Sequence, residues 1–305
     1  MEKLQVLLSL TTEVNDYQQE QARDAEESAQ KLGIDLHIIY ANNDAIIQSQ
    51  QLLEAIQNKS RRPNAIVFEP PGTGLAMVAK AAAEAGIGWV VLNRDVDYLA
   101  DLRRVNKSPM FSLSSDHIEV GRIQGRQLAR LLPNGGNVLY IQGPASHLAA
   151  SQRTQGATET KSAGVLLRML KGNWTEQSAY DAVASWLRLS TSREIKIAAV
   201  AAHDDDMAIG ARKAFQALTS GDERAHWMSI PFLGCDGLPK TGKTYVDRGT
   251  LQATVHIPPN TGQALQMLAQ AFKTGHSPAE RTLTVPSSYP ELGKLTGKAG
   301  QHATA

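Results

Sequence analysis

Three successive carboxylates, Asp204, Asp205 and Asp206, stand between an apolar run at 195–202 and a helical repeat that begins at Met207. An acid in that position can cap the first free helical N–H groups and answer the helix dipole. It can equally face a ligand, because open α/β sheets bind ligands outside the carboxyl ends of their strands. Asp205 and Asp206 fit either role. Asp204, first after the strand, is the acid expected to face a ligand.

Other residues invite chemistry of different kinds. Residues 237–244 read G-L-P-K-T-G-K-T, which fits the phosphate-loop pattern G-x-x-x-x-G-K-[ST] and follows a strand. A phosphate cradle needs a substantial helix after the Lys-Thr pair, yet Gly249 follows within about two helical turns. A surface turn and short helix is the expectation there. Cys235 is the only cysteine, which excludes an intramolecular disulfide and any multi-cysteine metal site. Between Gly234 and Asp236 it reads as a small buried filler. His117, His147, His203 and His256 are scattered without metal-ligand spacing and read as tip or surface residues, with His256 on the rim of a cleft. No G-x-S-x-G elbow occurs. Paired carboxylates for glycoside hydrolysis stay open until distances are known. Arg94 and Arg153 sit at polar tips, where they can serve as ion-pair partners or bind hydroxyls. Tyr17 and Trp174 flank such tips and can form a ligand wall or a lobe rim, whereas Trp89, Trp186 and Trp227 lie in core-type runs.

The elements that must position these groups alternate regularly. Strand-like runs at 5–10, 36–40, 65–68 and 89–92 are separated by helical repeats such as Ala22, Ala25, Ala29 and Leu32, closed by Gly33. After an irregular polar stretch at 95–109 the pattern restarts at 110–113 and continues through 138–141, 165–170, 195–202 and 230–235. Alternation of this kind means βαβ units and a parallel sheet, with every strand's carboxyl tip on one edge. The expected fold class is α/β, with two doubly wound parallel-sheet lobes. Residues 240–247, 251–257 and 261–272 complete one sheet, and the Ser-, Gly- and Lys-rich tail after Val285 reads as loosely ordered.

Composition narrows the partners. The 305 residues suffice for two domains, and Lys+Arg 31 against Asp+Glu 30 leaves a net charge of +1. That balance gives no basic excess for nucleic acid or an anionic membrane. No apolar run reaches the roughly 20 residues of a membrane span. Met1-Glu2-Lys3-Leu4 leads straight into the first strand without a signal-peptide pattern. The expectation is therefore either a cytoplasmic protein or a targeting segment absent from this sequence.

Five motifs in order give the chain a resemblance to the type I periplasmic sugar-binding proteins, the ribose/galactose-binding group of ABC-transporter solute-binding proteins, which also supplies repressor effector domains. They are Ser114-Ser115-Asp116, the Gly121 and Gly125 pair of the following helix, Arg153-Thr154-Gln155-Gly156, the run 204–210, and Gly234-Cys235-Asp236-Gly237. The resemblance covers about 3–286. It implies two lobes joined by a three-segment hinge, with 1–115 and 258–284 in the N-terminal lobe and 116–257 and 285–305 in the C-terminal lobe. It implies capture of a polar small molecule between them.

By that resemblance Asn15 contacts the sugar, Tyr17 stacks on it, Arg94 and Arg153 bind hydroxyls, Trp174 forms a wall and Asp236 takes paired hydroxyls. The chain departs from the family pattern at Asn93 (usually aspartate), Asp204 (usually asparagine), Glu69 (asparagine-like) and Ile257 (usually glutamine), with His256 beside it. These departures put ribose in doubt and leave a polyhydroxylated ligand. Hydroxyls both donate and accept, so carboxylates and guanidinium forks suit them.

The expected ligand site is Asn15, Tyr17, Glu69, Asn93, Arg94, Arg153, Trp174, Asp204, Asp236 and His256, with no catalytic residue, cofactor or metal. The expected function is non-enzymatic: a monomeric periplasmic or extracytoplasmic protein captures a carbohydrate or polyol and delivers it to an ABC transporter membrane permease. Alternatives are a ligand-sensing module of a receptor, kinase or repressor and, from a different class, a P-loop nucleotide-binding enzyme.

Overall fold

A computed structural model of the chain describes residues 3–72 and 75–296. Its elements run β1 (Gln5–Leu10), α1 (Asp16–Leu32), β2 (Asp35–Tyr40), α2 (Ala45–Gln57), β3 (Ala65–Phe68), α3 (Ala76–Glu84), β4 (Gly88–Leu92), α4 (Leu99–Val105) and β5 (Met110–Ser115). There follow α5 (His117–Leu131), β6 (Gly136–Gln142), α6 (Leu148–Thr160), β7 (Val165–Lys171), α7 (Glu176–Leu187), α8 (Thr191–Glu194), β8 (Ile197–Ala202) and α9 (Asp205–Leu218). The chain ends with α10 (Gly221–Ser229), β9 (Phe232–Asp236), α11 (Gly242–Asp247), β10 (Ala253–His256), α12 (Thr261–Thr274), β11 (Arg281–Thr284), β12 (Ser287–Tyr289) and a 3-10 turn at Leu292–Lys294. Two compact units result, 1–115 with 259–284 and 116–258 with 285–305.

The first unit holds a six-stranded sheet in the order β11-β5-β4-β3-β1-β2, parallel throughout. Its inner strands β1, β3 and β4 are apolar on both faces because helices cover both, as parallel sheets require. Alternate residues divide into two cores: Val6, Leu8, Val67, Val90 and Phe111 on one side, and Leu7, Ile66, Phe68, Trp89 and Met110 on the other. The strand at 110–115 extends this first sheet rather than opening the second. The stretch at 95–109, irregular to the eye, contains α4, anchored by the buried Leu99.

The second unit repeats the plan in the order β12-β10-β9-β8-β6-β7, with only the β10–β12 pair antiparallel. Its largest aromatic cluster stacks Phe215 on Trp227, with ring centroids 4.0 Å apart, and sets Trp186 edge-on to Trp227. All three packing tryptophans are thus core residues, as expected. The tail is better ordered than its composition implies. β12 pairs with β10, the Tyr289 hydroxyl donates to Asp247 Oδ1 at 2.6 Å, and Leu295 is buried in the core. Residues 297–305 lie outside the described residues, as do Thr73 and Gly74 of the tip after β3.

In both sheets the strand order reverses beside the first strand of the unit, between β1 and β3 and again between β6 and β8. Such a switch point opens a crevice at the carboxyl ends of the strands. Every candidate ligand residue except Tyr17 and Arg153 is the end of a strand or within about five residues of one; Tyr17 lies in the first turn of α1 and Arg153 within α6.

Candidate ligand site

The edge of the first unit is a network of amides around one carboxylate. Glu69, just past β3, takes hydrogen bonds at Oε2 from Gln18 Nε2 (2.9 Å) and Asn93 Nδ2 (3.1 Å). Asn93 Oδ1 in turn accepts from Asn260 Nδ2 at 2.8 Å, and Gln21 holds Asn260 from the other side at 2.8 Å. Burial pushes the Glu69 carboxyl up, against the lowering effects of Gln18, Asn93 and the Arg94 guanidinium. Arg94 is half-buried, and desolvation lowers its pKa while Glu69 opposes the change. Beside Arg94 opens a cavity of about 570 Å³ walled by Phe68, Pro70, Leu75, Val96 and Tyr98. Asn15 has a second duty: its Oδ1 accepts from Tyr17 N and Gln18 N and so caps α1. Tyr17 is half-buried in the first turn of that helix.

The edge of the second unit is organised by Arg153, on α6, which is 6% exposed. Its Nη1 donates to the His203 carbonyl, its Nη2 lies 3.7 Å from Asp236 Oδ1, and its guanidinium carbon stands 5.3 Å from the Trp174 ring centroid. Trp174 Nε1 donates to His147 Nδ1 at 3.1 Å. The indole lies against Gly143, where an added Cβ would come within 2.3 Å of the ring. Asn93, Trp174 and Asp236 all adopt positive φ, of 54°, 57° and 90°. For non-glycine residues that conformation costs energy, and it persists where surrounding contacts over-determine it, which is common at ligand sites.

His203 and His117 are corrections to the surface reading, for both are buried. His203 Nδ1 accepts from Gly143 N–H at 3.0 Å, which leaves Nε2 as the protonated nitrogen facing the Tyr140 hydroxyl at 3.2 Å. Burial, then the neighbouring Arg153 and His117, keep this ring neutral. His203 thereby locks the Gly143 turn, Arg153 and Trp174 together, a role that its place beside Asp204 in sequence hinted at but did not disclose. Gln18 and Gln21 on α1, and Asn260 before α12, carry no sequence signal of this role, because isolated amides form no motif.

The three aspartates divide their labour differently from the expectation. Asp204 is itself the cap of α9, accepting from Met207 N at 2.6 Å, and is 3% exposed. Asp205 is structural: it accepts from the Thr254 hydroxyl (2.7 Å) and Gly237 N (2.8 Å), tying the turn after β9 to β10. His256 Nδ1–H donates to the Gly237 carbonyl at 3.0 Å on that same turn. Cys235 is a buried filler beside Gln124. The phosphate-loop pattern is used up locally: Lys243 N donates to Leu238 O, Thr244 Oγ1 to Pro239 O, and the helix has only six residues. Among the described residues no group of three or more His, Cys, Asp or Glu could hold a metal ion.

Burial and the neighbouring Asp236 raise the Asp204 carboxyl well above its ordinary 3.8. A raised carboxyl favours the folded state in its protonated form. That contribution is full below about pH 3.8 and is lost as pH rises through the folded-state value. Asp204→Asn keeps a good cap and removes the buried charge. The variant is expected to melt higher at pH 7 by about 1–3 kcal/mol of stability, with the gain vanishing towards pH 4. Thermal unfolding at several pH values checks this, and a lower melting temperature at pH 7 would contradict it.

A family model for the periplasmic binding protein domain matches residues 6–277. The chain belongs to the periplasmic binding protein family. It is a type I sugar-binding member, and this family is non-enzymatic. The D-allose-binding periplasmic protein of Escherichia coli is 26% identical, over 87% of this chain and 84% of its own length. A Rhizobium meliloti protein with a provisional rhizopine-binding name is 31% identical over 61% of this chain and 58% of its own length, so the chain spans under two thirds of that relative. Among solved structures, a solute-binding protein from Actinobacillus succinogenes with bound D-allose superposes with a TM-score of 0.80 at 22% identity, covering 94% of this chain and 97% of that one. This last likeness concerns the fold. Family members are periplasmic or extracytoplasmic, and among the described residues no helix is long and apolar enough to cross a membrane.

Proposed function

We propose that this protein captures a sugar or related polyol between the carboxyl edges of its two units, in the periplasm, and as a monomer delivers it to the membrane permease of an ABC-type importer. The observation that carries the reading is the second-unit edge: Arg153, Asp236 and Trp174 converge there, two of them on strained backbone. A guanidinium and a carboxylate suit paired hydroxyls, and an indole suits the C–H face of a sugar ring. The ten residues Asn15, Tyr17, Glu69, Asn93, Arg94, Arg153, Trp174, Asp204, Asp236 and His256 make up the proposed site. The names of the relatives support a carbohydrate: D-allose, galactofuranose and ribose recur among them.

A thermal-shift screen against pentoses, hexoses, linear polyols and inositols, with ATP and magnesium as control, tests the reading. A ligand at 100 times its Kd adds about 2.7 kcal/mol, enough to raise Tm by several degrees. The expected result is a shift with one class of sugar or polyol. A shift with ATP and magnesium alone would overturn it.

A further inference from the structure

The cavity beside Arg94 in the first unit differs in chemistry from the amide network next to it. It lies between the turn after β3 and the turn after β4, and its volume is about 570 Å³. Pockets that enclose a whole small ligand run from roughly 300 to 1,000 Å³, so the space far exceeds a hydroxyl or a methyl group. Phe68 and Leu75 wall it and belong to the core on that face of the sheet, and Val96 and Tyr98 pack against the same core. Pro70 supplies a further apolar wall.

The polar groups of the lining are engaged elsewhere. The Tyr98 hydroxyl accepts from Trp89 Nε1 at 3.3 Å, and burial pushes its pKa up to about 12. Asp95 Oδ2 is paired with Arg281 Nη2 at 2.9 Å, and Asp97 is exposed to water. Arg94, half-buried with Glu69 as its opposing charge, stands where the cavity and the proposed site meet. A ligand hydroxyl sealed against Phe68, Pro70, Leu75 and Val96 would give up water without gaining a partner, which is costly. A hydrocarbon group there gains in proportion to the apolar area it withdraws from water.

We propose that the cavity is a subsite for the aglycone of a glycoside, an alkyl or aryl group larger than methyl, whose sugar ring lies on the proposed site with Arg94 at the junction. The inference rests on the carbohydrate reading given above and narrows it to glycosides with an apolar aglycone.

Calorimetric titration of the full chain tests it with the pentoses and hexoses of the thermal-shift screen, each as the free sugar and as both anomers of its methyl, n-propyl and phenyl glycosides. Each buried methylene is worth about a fourfold change in affinity. The n-propyl or phenyl glycoside of one sugar is therefore expected to bind at least roughly tenfold tighter than the free sugar and the methyl glycoside. Val96→Trp and Ala76→Trp fill the cavity from its two opposite turns, and neither residue belongs to the proposed site. Ala76 is exposed at the start of α3, so that variant is expected to fold. In both, the advantage of the larger aglycone falls to about one while the free sugar binds as before. Equal or weaker binding of every n-propyl and phenyl glycoside, binding confined to polyols, or an advantage unchanged in both variants would overturn the subsite and leave solute capture standing. Absence of binding for every sugar, polyol and glycoside would overturn the carbohydrate reading and this inference with it.

Discussion

Arg153→Ala is expected to weaken ligand binding by roughly 30- to 4,000-fold, corresponding to about 2–5 kcal/mol for truncating one partner of a buried charge pair. Three losses coincide in this one substitution. Asp236 loses the guanidinium at 3.7 Å, the His203 carbonyl loses its donor, and Trp174 loses the cation standing over its ring. The ligand would also lose its fork of donors. Arg153→Lys restores charge without the planar fork, so it is expected to recover folding and little of the affinity. Titration of both variants, alongside far-UV circular dichroism, checks this. Native affinity in Arg153→Ala would remove the residue from the site.

Gly121→Ala is expected to damage the same site from a distance. Gly121 on α5 lies against α6 so closely that an added Cβ would sit 2.0 Å from the Arg153 carbonyl oxygen and 2.9 Å from Ala157 N. Gly156 makes the reciprocal approach: a Cβ added there would sit 2.0 Å from the Ile118 carbonyl oxygen. Backbone meets backbone here, so no flexible side chain can yield, and α6 must move with Arg153 on it. Overpacking of this kind costs about 1–3 kcal/mol or more. A displaced guanidinium costs a further hydrogen bond to a charged group, so affinity falls by at least roughly tenfold. Melting and titration of the variant read the two effects separately. A lowered Tm with unchanged affinity would mean that α6 accommodates the methyl group without moving Arg153.

Much of this architecture is legible in the residues themselves. The runs at 65–68 and 197–202 are apolar on successive positions because both faces of a parallel strand are buried. Helix ends are equally plain where chemistry marks them, as with the Asn15 cap and Gly33 at φ 69°. What escapes the reading is decided by long-range packing. The strand at 110–115 looks by its alternation like the start of a second repeat, whereas the family resemblance, with its lobe boundary at 115, places it in the first lobe, where it pairs with β4 and β11. Residues 285–296 look like a loose tail, because Ser287 and Ser288 hide an edge strand and Leu295 is a lone anchor. The acidic triplet shows the same limit at the site. Sequence places Asp204 and Asp205 at one tip but cannot say that Asp205 is consumed by Thr254 and Gly237. Nor can it say that His203 turns inward, since both orientations satisfy a strand end.

The central claim is that a single small molecule is held by the carboxyl edges of both units. Hydrogen exchange, measured with and without the sugar or polyol that gives the largest thermal shift, tests it most directly, because ligation slows opening of the segments that it ties down. The account predicts slowed exchange at 69–72 and 93–98 in the first unit and at 143–147, 172–175, 203–207 and 236–238 in the second. It predicts no change in the loops at the opposite strand ends, 58–64 and 132–136. Slowing confined to one unit, or centred on those opposite loops, would contradict it.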